Sequence, residues 1–409
     1  MRRYESYKDS GVEWLGEVPS HWESFPLFVQ AKISSITNHI DKELLSVYLD
    51  RGVVRFSDVD EKRTNVTSLD LSKYQLVRKG NLVLNNQQAW RGSVGVSSYE
   101  GIVSPAYLIL ELSNKFDPHY ANYLFRNGSM VSHYLIASKG VGTIQRNLYW
   151  GNLRRTPIFI PPLSEQQKIA QFLDDKTAKI DQAVDLAEKQ IALLKEHKQI
   201  LIQNAVTRGL NPDVPLKDSG VEWIGQVPEH WEVKKLKYLS KIKSGDSIIN
   251  SNLSEEYLYE VFGGNGFMGY FYKYNVSGEN IIIGRVGALC GNIRYINEEK
   301  WITDNALILN LINLSKTLYS YVSYVLECAN LNALSVSNAQ RLITGTKVMN
   351  ISIAIPPLSE QKQIIDYLDK QTAKIDQAIA LKTAHIEKLK EYKSVLINDA
   401  VTGKVRVSV

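Results

Sequence analysis

Amide, aromatic and basic side chains cluster in two stretches of the chain, and each cluster has the chemistry to read DNA bases. The first cluster consists of Asn85, Asn86, Gln87, Gln88, Trp90 and Arg91, followed by Lys139, Gln145, Arg146 and Asn147. The second consists of Asn265, Tyr270, Tyr272, Arg285, Arg294, Gln340, Arg341 and Lys347. Asn and Gln can form two hydrogen bonds with adenine and Arg can do the same with guanine, whereas Lys suits phosphates. Each residue alone is also common in turns and on surfaces, so the prediction depends on the clustering.

The sequence motifs of several enzyme classes are missing, and the sequence offers no candidate catalytic residue. It contains no GxxxxGK(S/T) phosphate loop, no HExxH metal pair and no GxSxG nucleophile turn. Phe262–Gly266 fits the FxGxG pattern of S-adenosylmethionine pockets, but turn glycines explain it better. The triplet at 60–62, Asp-Glu-Lys, has a nuclease-like order that is common by chance. We therefore expect this chain to bind no cofactor and no metal ion.

Composition and charge favour a globular protein that contacts a polyanion. The chain has 409 residues and a net charge of +5, and residues 24–159 hold 16 Lys/Arg against 10 Asp/Glu. A basic excess suits nucleic acid, although a solvated basic surface would look the same. The two cysteines fit a reducing compartment, and there is neither a signal peptide nor the run of about 18 apolar residues that a membrane span requires. We expect a cytoplasmic protein without membrane association.

The chain is internally duplicated. Residues 8–23 and 217–232 are identical at 13 of 16 positions, and residues 160–207 and 355–402 at 28 of 48. The stretches between these repeats scarcely resemble each other, but both combine short β-branched and aromatic runs with helical patterns. We call the repeated segments 8–23, 160–207, 217–232 and 355–402 the frame, and the stretches between them, 24–158 and 233–353, the inserts. A repeated frame with two different inserts indicates two binding domains.

The second repeat predicts a long helix in each copy, starting after a Pro-Pro pair with Ser164 as the N-cap of the first. Apolar residues recur about every 3.5 positions from 180 to 205 and from 375 to 400, which is typical of a coiled coil. Lys198 and Lys393 interrupt both apolar seams at the same step. Because so narrow an apolar stripe would not stabilise one helix alone, we predict that the two helices pack together antiparallel. A twofold-like arrangement also predicts that the C-terminal tail lies near the first arm.

Together these patterns predict an α/β fold with two α/β recognition domains, two long antiparallel coiled-coil helices and a pseudo-twofold internal repeat. The predicted segments are an arm at 1–23, an insert domain at 24–158, a helix at 159–209, a linker and second arm at 210–232, a second insert domain at 233–353, and a helix with a tail at 354–409.

The duplicated motifs GVEW(L/I)GxVPxHW and PPLxEQ resemble those of the specificity subunits of type I restriction-modification systems, and the resemblance covers the whole chain. It implies two target-recognition domains, each reading half of a split site in double-stranded DNA, and helices that fix the spacing. It also implies a subunit without catalytic activity that recruits two adenine-N6 methyltransferase subunits. S-adenosylmethionine would bind to those partners, and ATP with Mg²⁺ to the motor–nuclease subunits of the full complex.

The resemblance also guides individual residues. Gly142, Thr143 and Gln145 look like the family's G-T-x-Q stretch, whereas in the second copy Gln340 and Arg341 precede Gly345, which puts Lys347 in doubt as a contact. We place the partner contacts on the outer faces of the long helices and on Trp14, Trp22, Glu165, Gln166, Trp223, Trp231, Glu360 and Gln361. For the tryptophans, packing of the arm onto the helices is the alternative.

Two other functions remain open at this point. One is a coiled-coil scaffold whose inserts bind proteins rather than DNA, and the other is an enzyme with a cryptic nuclease or methylase site. A steep salt dependence of binding would favour DNA over protein, because DNA binding releases counterions.

Overall fold

The computed structural model describes residues 2–13, 15–59, 70–141, 145–287, 289–334 and 341–407. The chain forms two compact units, unit 1 with residues 1–187 and 384–409, and unit 2 with residues 188–383. Each unit therefore contains one arm, one insert and part of both long helices. The division into six segments stays a prediction, since this grouping is coarser.

Unit 1 is a mixture of short strands and helices. Its strands are β1 (Tyr7–Asp9), β2 (Glu17–Pro19), β3 (Glu23–Pro26), β4 (Ala31–Ser34), β5 (Leu45–Tyr48), β6 (Gly52–Arg55), β7 (Gln75–Val77), β8 (Leu82–Asn85), β9 (Val94–Val96), β10 (Gly101–Val103), β11 (Tyr107–Leu112), β12 (Ser138–Val141), β13 (Gln145–Leu148) and β14 (Pro157–Ile160). Its helices are α1 (Leu27–Gln30), α2 (Pro118–Arg126), α3 (Gly128–Ala137), α4 (Trp150–Leu153) and the first part of α5 (Leu163–Arg208). Asn127 separates α2 from α3, because its side chain accepts from Met130 N and caps α3.

Unit 2 continues α5 and has the same mixture of elements. Its strands are β15 (Leu216–Asp218), β16 (Gln226–Pro228), β17 (Glu232–Lys235), β18 (Ser240–Ser244), β19 (Tyr259–Gly263), β20 (Gly266–Phe271), β21 (Glu279–Gly284), β22 (Ile293–Asn297), β23 (Trp301–Ile302), β24 (Ala306–Leu311) and β25 (Ser352–Ile355). Its helices are α6 (Tyr319–Cys328), α7 (Gly345–Met349) and the first part of α8 (Leu358–Val401), which ends in unit 1.

The two inserts share a sheet topology that their sequences do not reveal. In unit 1 the central antiparallel sheet has the order β4-β11-β8-β9, and in unit 2 it has the order β18-β24-β21-β22. In both sheets the first strand in the chain therefore pairs with the fourth, which pairs with the second, which pairs with the third. Both faces of each sheet are covered: Leu82 and Leu84 join the larger core of unit 1, while Val83 between them joins a second cluster. The predicted α/β class is confirmed.

Each insert is joined to the frame through a two-stranded ribbon. In unit 1, β3 pairs antiparallel with β14, and Glu23 is opposite Ile160. In unit 2, β17 pairs with β25, and Glu232 is opposite Ile355. The chain therefore enters and leaves each insert at neighbouring points, directly before the Pro-Pro turn that starts the long helix.

The helices α5 and α8 pack antiparallel, as predicted. Their cross-contacts progress in opposite directions, from Lys393 and Asp181 in unit 1 to Lys382 with Gln190 and then Lys198 with Asp376 in unit 2. The predicted seam is the buried face, with Ile180 and Leu396 in the core of unit 1 and Ile375 buried in unit 2. The helix α5 begins at Leu163, so Ser164 lies in its first turn rather than at the predicted N-cap.

The lysines that interrupt the two seams each face an aspartate of the other helix. Lys198 Nζ lies 2.8 and 2.7 Å from the two carboxylate oxygens of Asp376, and Lys393 Nζ lies 2.7 and 2.6 Å from those of Asp181. These are the same two repeat positions with the helices exchanged. Each copy of the repeat therefore supplies the lysine of one pair and the aspartate of the other.

The C-terminal tail lies against the first arm, which confirms the prediction from the repeat. Arg406 N donates to Arg2 O at 2.7 Å, and the backbone of Gly403 lies so close to Pro19 that a Cβ there would clash with the proline ring. In unit 2, a Cβ on Gly209 would come within 3.1 Å of Trp231. Both glycines have positive φ, so each helix ends at a residue that glycine suits best. Within the described part of the chain, no helix has the length and apolar character needed to cross a membrane.

Candidate nucleic-acid interface

In unit 1 the amide-rich loop leaves the carboxyl end of β8 in a fixed conformation. The Asn85 side chain accepts from Gln87 N at 3.1 Å, and Trp90 Nε1 donates to Gln87 O at 2.9 Å. Ala89 is fully buried and anchors a single 3-10 turn, which Gly92 closes at φ +103°. The exposed Gln87 and Arg91 are therefore presented by a loop that is held internally.

The ribbon β12–β13 packs against this loop and brings the second part of the first cluster to it. Leu148 N donates to Asn86 O at 2.9 Å. The guanidinium carbons of Arg91 and Arg146 lie 4.6 and 5.8 Å from the centre of the Trp90 ring, which therefore holds two cations.

The ribbon adds a further exposed pair near its base. Lys139 is opposite Asn147 in the ribbon, and Lys139 Nζ lies 5.5 Å from the Tyr149 ring centre. The structure thus brings most of the first predicted cluster onto one surface. The side chain of Gln145 and residues 142–144 lie outside the described part.

In unit 2 three loops meet around Arg285, at the carboxyl end of β21. Arg285 N donates to Asn305 O at 3.0 Å, and Gly287 N donates to Arg341 O at 3.3 Å. Asn265 lies beside this junction, since its Oδ1 would be 3.1 Å from a Cβ on Gly287. Asn265, Arg285 and Arg341 are therefore brought together, as Asn85 and Arg91 are at the end of the equivalent strand β8. Gln340 lies outside the described residues.

A cleft of about 570 Å³ adjoins Arg285 and contains cations that the sequence did not single out. It is lined by Lys237, Ile242, Lys243, Ser244, Arg285, Leu307, Thr344, Gly345, Thr346, Met349 and Asn350. Arg285 Nη1 donates to Ser244 Oγ at 3.2 Å, while its buried Nε has no hydrogen-bond partner among the described residues. Lys237 and Lys243 are exposed, and their signal was the lysine-rich run from 234 to 243. Three positive charges around one cleft suit a phosphate backbone.

The remaining residues of the second cluster divide into two groups. Arg294 lies over Phe262, with its guanidinium carbon 4.3 Å from the ring centre, and Tyr270 lies on the same hairpin. Tyr272 lies beyond the other end of β20 and packs on Tyr257 and Phe271, so it is not brought to Asn265. Lys347 is exposed on α7, whose N-cap Thr344 accepts from the Lys347 backbone N–H.

The residues expected to contact partners sit at the start of each long helix and are largely occupied by internal contacts. Trp22 and Trp231 are each 1 % exposed. Trp231 Nε1 donates to Glu360 at 2.9 Å, and Trp22 Nε1 lies 3.3 Å from Glu165. The packing alternative therefore describes these two tryptophans. Trp223 is partly buried against the core of unit 2, and Trp14 lies outside the described residues.

Glu165 and Glu360 each tie an arm to a helix. Glu165 accepts from Tyr4 Oη at 2.6 Å and is 2.8 Å from His21 Nε2, and Glu360 is 2.7 Å from His230 Nε2. Burial, together with the hydrogen bond to Glu165, raises the pKa of Tyr4. Both carboxylates are thus engaged in holding the arm.

Gln166 and Gln361 are fully buried, which corrects their expected place on an outer face. Each amide joins three backbone groups inside its own unit. A docking contact on the frame would have to use neighbouring exposed residues, and the docking prediction itself stays a prediction.

The family comparison decides which class of protein carries this architecture. A family model described as the type I restriction modification DNA specificity domain matches residues 36–195 and 228–391. The chain belongs to this family. A putative type I restriction enzyme MjaX specificity subunit of Methanocaldococcus jannaschii is 27 % identical over 429 residues, covering 96 % of this chain and 96 % of the relative. The EcoprrI specificity subunit of Escherichia coli is 31 % identical over 144 residues, covering 34 % of this chain and 35 % of the relative.

Solved structures of specificity subunits have the same fold. One, from a study of complex assembly and conformational transition of a type I system, superposes with a TM-score of 0.72 at 18 % identity and covers 95 % of this chain and 99 % of its own. The HsdS subunit of Thermoanaerobacter tengcongensis gives a TM-score of 0.53 at 18 % identity and covers 95 % and 98 %. The resemblance of this specificity subunit to its family is therefore confirmed in sequence and in fold.

Proposed function

We propose that this specificity subunit reads an asymmetric, interrupted sequence in double-stranded DNA, with one half-site for each insert. The observation that carries the proposal is a shared scaffold with different side chains at the same place. At the carboxyl end of β8, unit 1 presents Gln87 and Arg91, and at the carboxyl end of β21, unit 2 presents Arg285 beside Asn265. A common scaffold explains a common ligand, and different donors explain different half-sites.

The frame supports a second part of the proposal, the docking of two methyltransferase subunits. On α5, Leu186, Leu193 and Ile200 are exposed at steps of seven residues, and on α8, Leu381 and Val395 are exposed at the equivalent repeat positions. Apolar residues at this step lie on nearly one face of a helix and suit a partner helix. Two near-equivalent faces on one chain suit two copies of one partner.

The chemistry would then reside on the partners. S-adenosylmethionine would bind to the methyltransferase subunits, and ATP with Mg²⁺ to motor–nuclease subunits where these join. The chain itself would contribute sequence reading and positioning, with α5 and α8 setting the number of base pairs between the half-sites.

Adenine-modification profiling tests the proposal. Genomic DNA from cells that carry this chain with its methyltransferase subunit is expected to show N6-methyladenine at one bipartite motif. The purified complex should bind that motif with an affinity that falls steeply as salt rises. Binding that is insensitive to salt, together with unmodified DNA, would favour the protein-binding scaffold instead.

A further inference from the structure

The hairpin formed by β19 and β20 carries an exposed aromatic residue at its tip. The turn is at 264–265, and Phe267 follows it with 53 % of its surface exposed. The strand β20 is at the edge of its sheet, in the order β20-β19-β23. Edge strands usually carry charges or prolines that prevent association, whereas this one presents Phe267 and Met268. Exposed apolar side chains that lie next to one another can mark an interaction site.

Neighbouring rings hold Phe267 in one orientation. The Phe267 ring centre lies 5.9 Å from that of Phe262 and 5.2 Å from that of Tyr270, both in edge-to-face geometry. Met268 lies across Gly263, where a Cβ would come within 2.7 Å of the Met268 sulfur. The tip is therefore an ordered apolar projection.

One positively charged side chain lies beside the projection. Arg294 lies over Phe262, and its Nη2 would be 3.6 Å from a Cβ on Gly266 in the turn. Lys300 Nζ lies 2.5 Å from Glu260 and 2.6 Å from Glu298, so it offsets one of the two negative charges on this side. Arg294 forms no salt bridge with a described residue. An apolar tip beside such an arginine fits a polyanion whose interior surfaces are apolar, as stacked base pairs between phosphates are.

Asn265, at the other side of the same turn, connects the tip to the base-reading loops. It lies against Gly287, two residues from Arg285. A duplex whose bases were contacted by Arg285 and Asn265 would thus present a neighbouring base step to Phe267.

We propose that Phe267 is a wedge that inserts between two neighbouring base pairs of the half-site read by unit 2 and partly unstacks them. This inference rests on the proposed DNA-reading function and adds how one position is selected. Apolar side chains inserted in this way kink the duplex, and the ease of kinking depends on the base step. Pyrimidine–purine steps such as TA unstack most readily, so Phe267 would select such a step through its deformability, without a hydrogen bond to a base.

Permanganate footprinting tests the wedge, because this reagent oxidises thymines that have lost stacking. The probe is the complex of the full chain with its methyltransferase subunits, bound to a duplex that contains the profiled motif. The unaltered complex is expected to show one reactive thymine step, apart from the thymine paired with the methylated adenine. Phe267→Ala should abolish that reactivity and lower the affinity about five- to hundredfold, the range that loss of one aromatic–base contact gives. Phe267→Leu should keep the reactivity, since a wedge requires apolar bulk rather than a ring.

Leu258→Ala is the matched control, because Leu258 is 76 % exposed but lies just before β19, away from the turn. It should leave both reactivity and affinity unchanged. Specific binding with no reactive thymine, or reactivity that survives in Phe267→Ala, would overturn the wedge and leave the DNA-reading function intact. Reactivity retained by Phe267→Trp but lost with Phe267→Leu would also overturn it, in favour of stacking. Loss of specific binding by the unaltered complex would instead refute the proposed function.

Discussion

Gln166 and Gln361 each satisfy three backbone groups that are not paired in a helix or a sheet. Gln166 accepts from Asp117 N at 2.9 Å and donates to Lys115 O and Pro161 O at 2.9 and 3.0 Å. Gln361 repeats this arrangement in unit 2. One buried amide therefore connects the Pro-Pro turn, the start of the long helix and the segment that enters the insert's own helix.

Gln166→Ala is expected to destabilise the chain by about 1–3 kcal/mol for each backbone group left buried without a partner. The free energy of unfolding, measured by denaturant titration, checks this. Gln167→Ala is the matched control, because Gln167 is the next residue and is exposed. Equal effects of the two substitutions would show that the buried amide is not needed.

Arg91→Ala should weaken binding to the cognate site by about 1–3 kcal/mol and relax one half-site, if Arg91 bonds a guanine through both donors. Arg285→Ala should do the same for the other half-site. Competition binding with a set of singly altered sites measures the effect. Lys79→Ala is a control in unit 1, since Lys79 precedes the opposite end of β8. A loss that is equal across all sequences would identify a phosphate contact instead.

Glu327 gives the stability a pH dependence. Burial raises the pKa of this carboxyl, Asp376 raises it further, and Lys198 opposes them. The folded state then holds the Glu327 proton more tightly than the unfolded state does. The protonated carboxyl therefore contributes its full stability below the unfolded pKa, and this stability is lost as pH rises through the raised folded pKa. Glu327→Gln should remove this decline and make the chain more stable at neutral pH, as unfolding at several pH values will show. A steeper decline in the variant would contradict the assignment.

At the residue scale, the sequence predicted which side chains lie together better than which side chains are buried. Asn85, Arg91, Arg285 and Asn265 were identified by type and lie together in their loops. Gln166 was identified by its repetition, but a residue repeated for a partner and one repeated for the scaffold look alike in a sequence. Burial is a property of the folded chain, so only the structure separates these two roles.

At the element scale, α5 and α8 pair through a largely apolar seam that two reciprocal Lys–Asp contacts interrupt. A lysine at this position disfavours parallel or shifted pairings, in which it would face apolar residues or another lysine. The two Lys–Asp pairs thus specify register more than they add stability, because pairs this exposed contribute about 0.2–1 kcal/mol.

Lys198→Glu should therefore lower the free energy of unfolding, and adding Asp376→Lys should restore most of the loss. A double-mutant cycle in denaturant measures the coupling between the two positions. Lys195→Glu is the control, since Lys195 is exposed on the same helix. A coupling near zero would show that the seam does not need the pair.

Helices and sheets differed in how well the sequence predicted them. The long helices follow from a local 3.5-residue period, which two copies repeat. The common order of the two central sheets could not be predicted, because strands such as β4 and β11 pair across about 75 residues and the inserts share almost no sequence.

At the scale of the whole molecule, α5 and α8 are expected to fix the spacer between half-sites. Inserting one heptad into α5 and one into α8 would lengthen the helix pair by about 10 Å. The spacer should then grow by about three base pairs, at about 3.4 Å each, with both half-sites unchanged. Adenine-modification profiling of cells carrying the lengthened chain measures this. A changed half-site with an unchanged spacer would contradict the role of the helices.

The contact between tail and arm was predictable because it follows from the order of the repeats alone. The linker after α5 meets the second arm, so the segment after α8 has to meet the first if the copies are equivalent. Gly403 lies beside Pro19 and Trp22, and Gly209 lies beside Pro228 and Trp231, which are the same two positions of the repeat.

The narrow ribbons that join each insert to the frame have an evolutionary consequence. The strand β3 pairs with β14, and β17 pairs with β25, over four residues each. One insert can therefore be replaced by another insert that begins and ends with such strands. The duplicated flanking sequences of the two copies also give genetic recombination a place to cross over. If each insert reads one half-site as proposed, exchange of a whole insert would change the target sequence and leave the frame as it is.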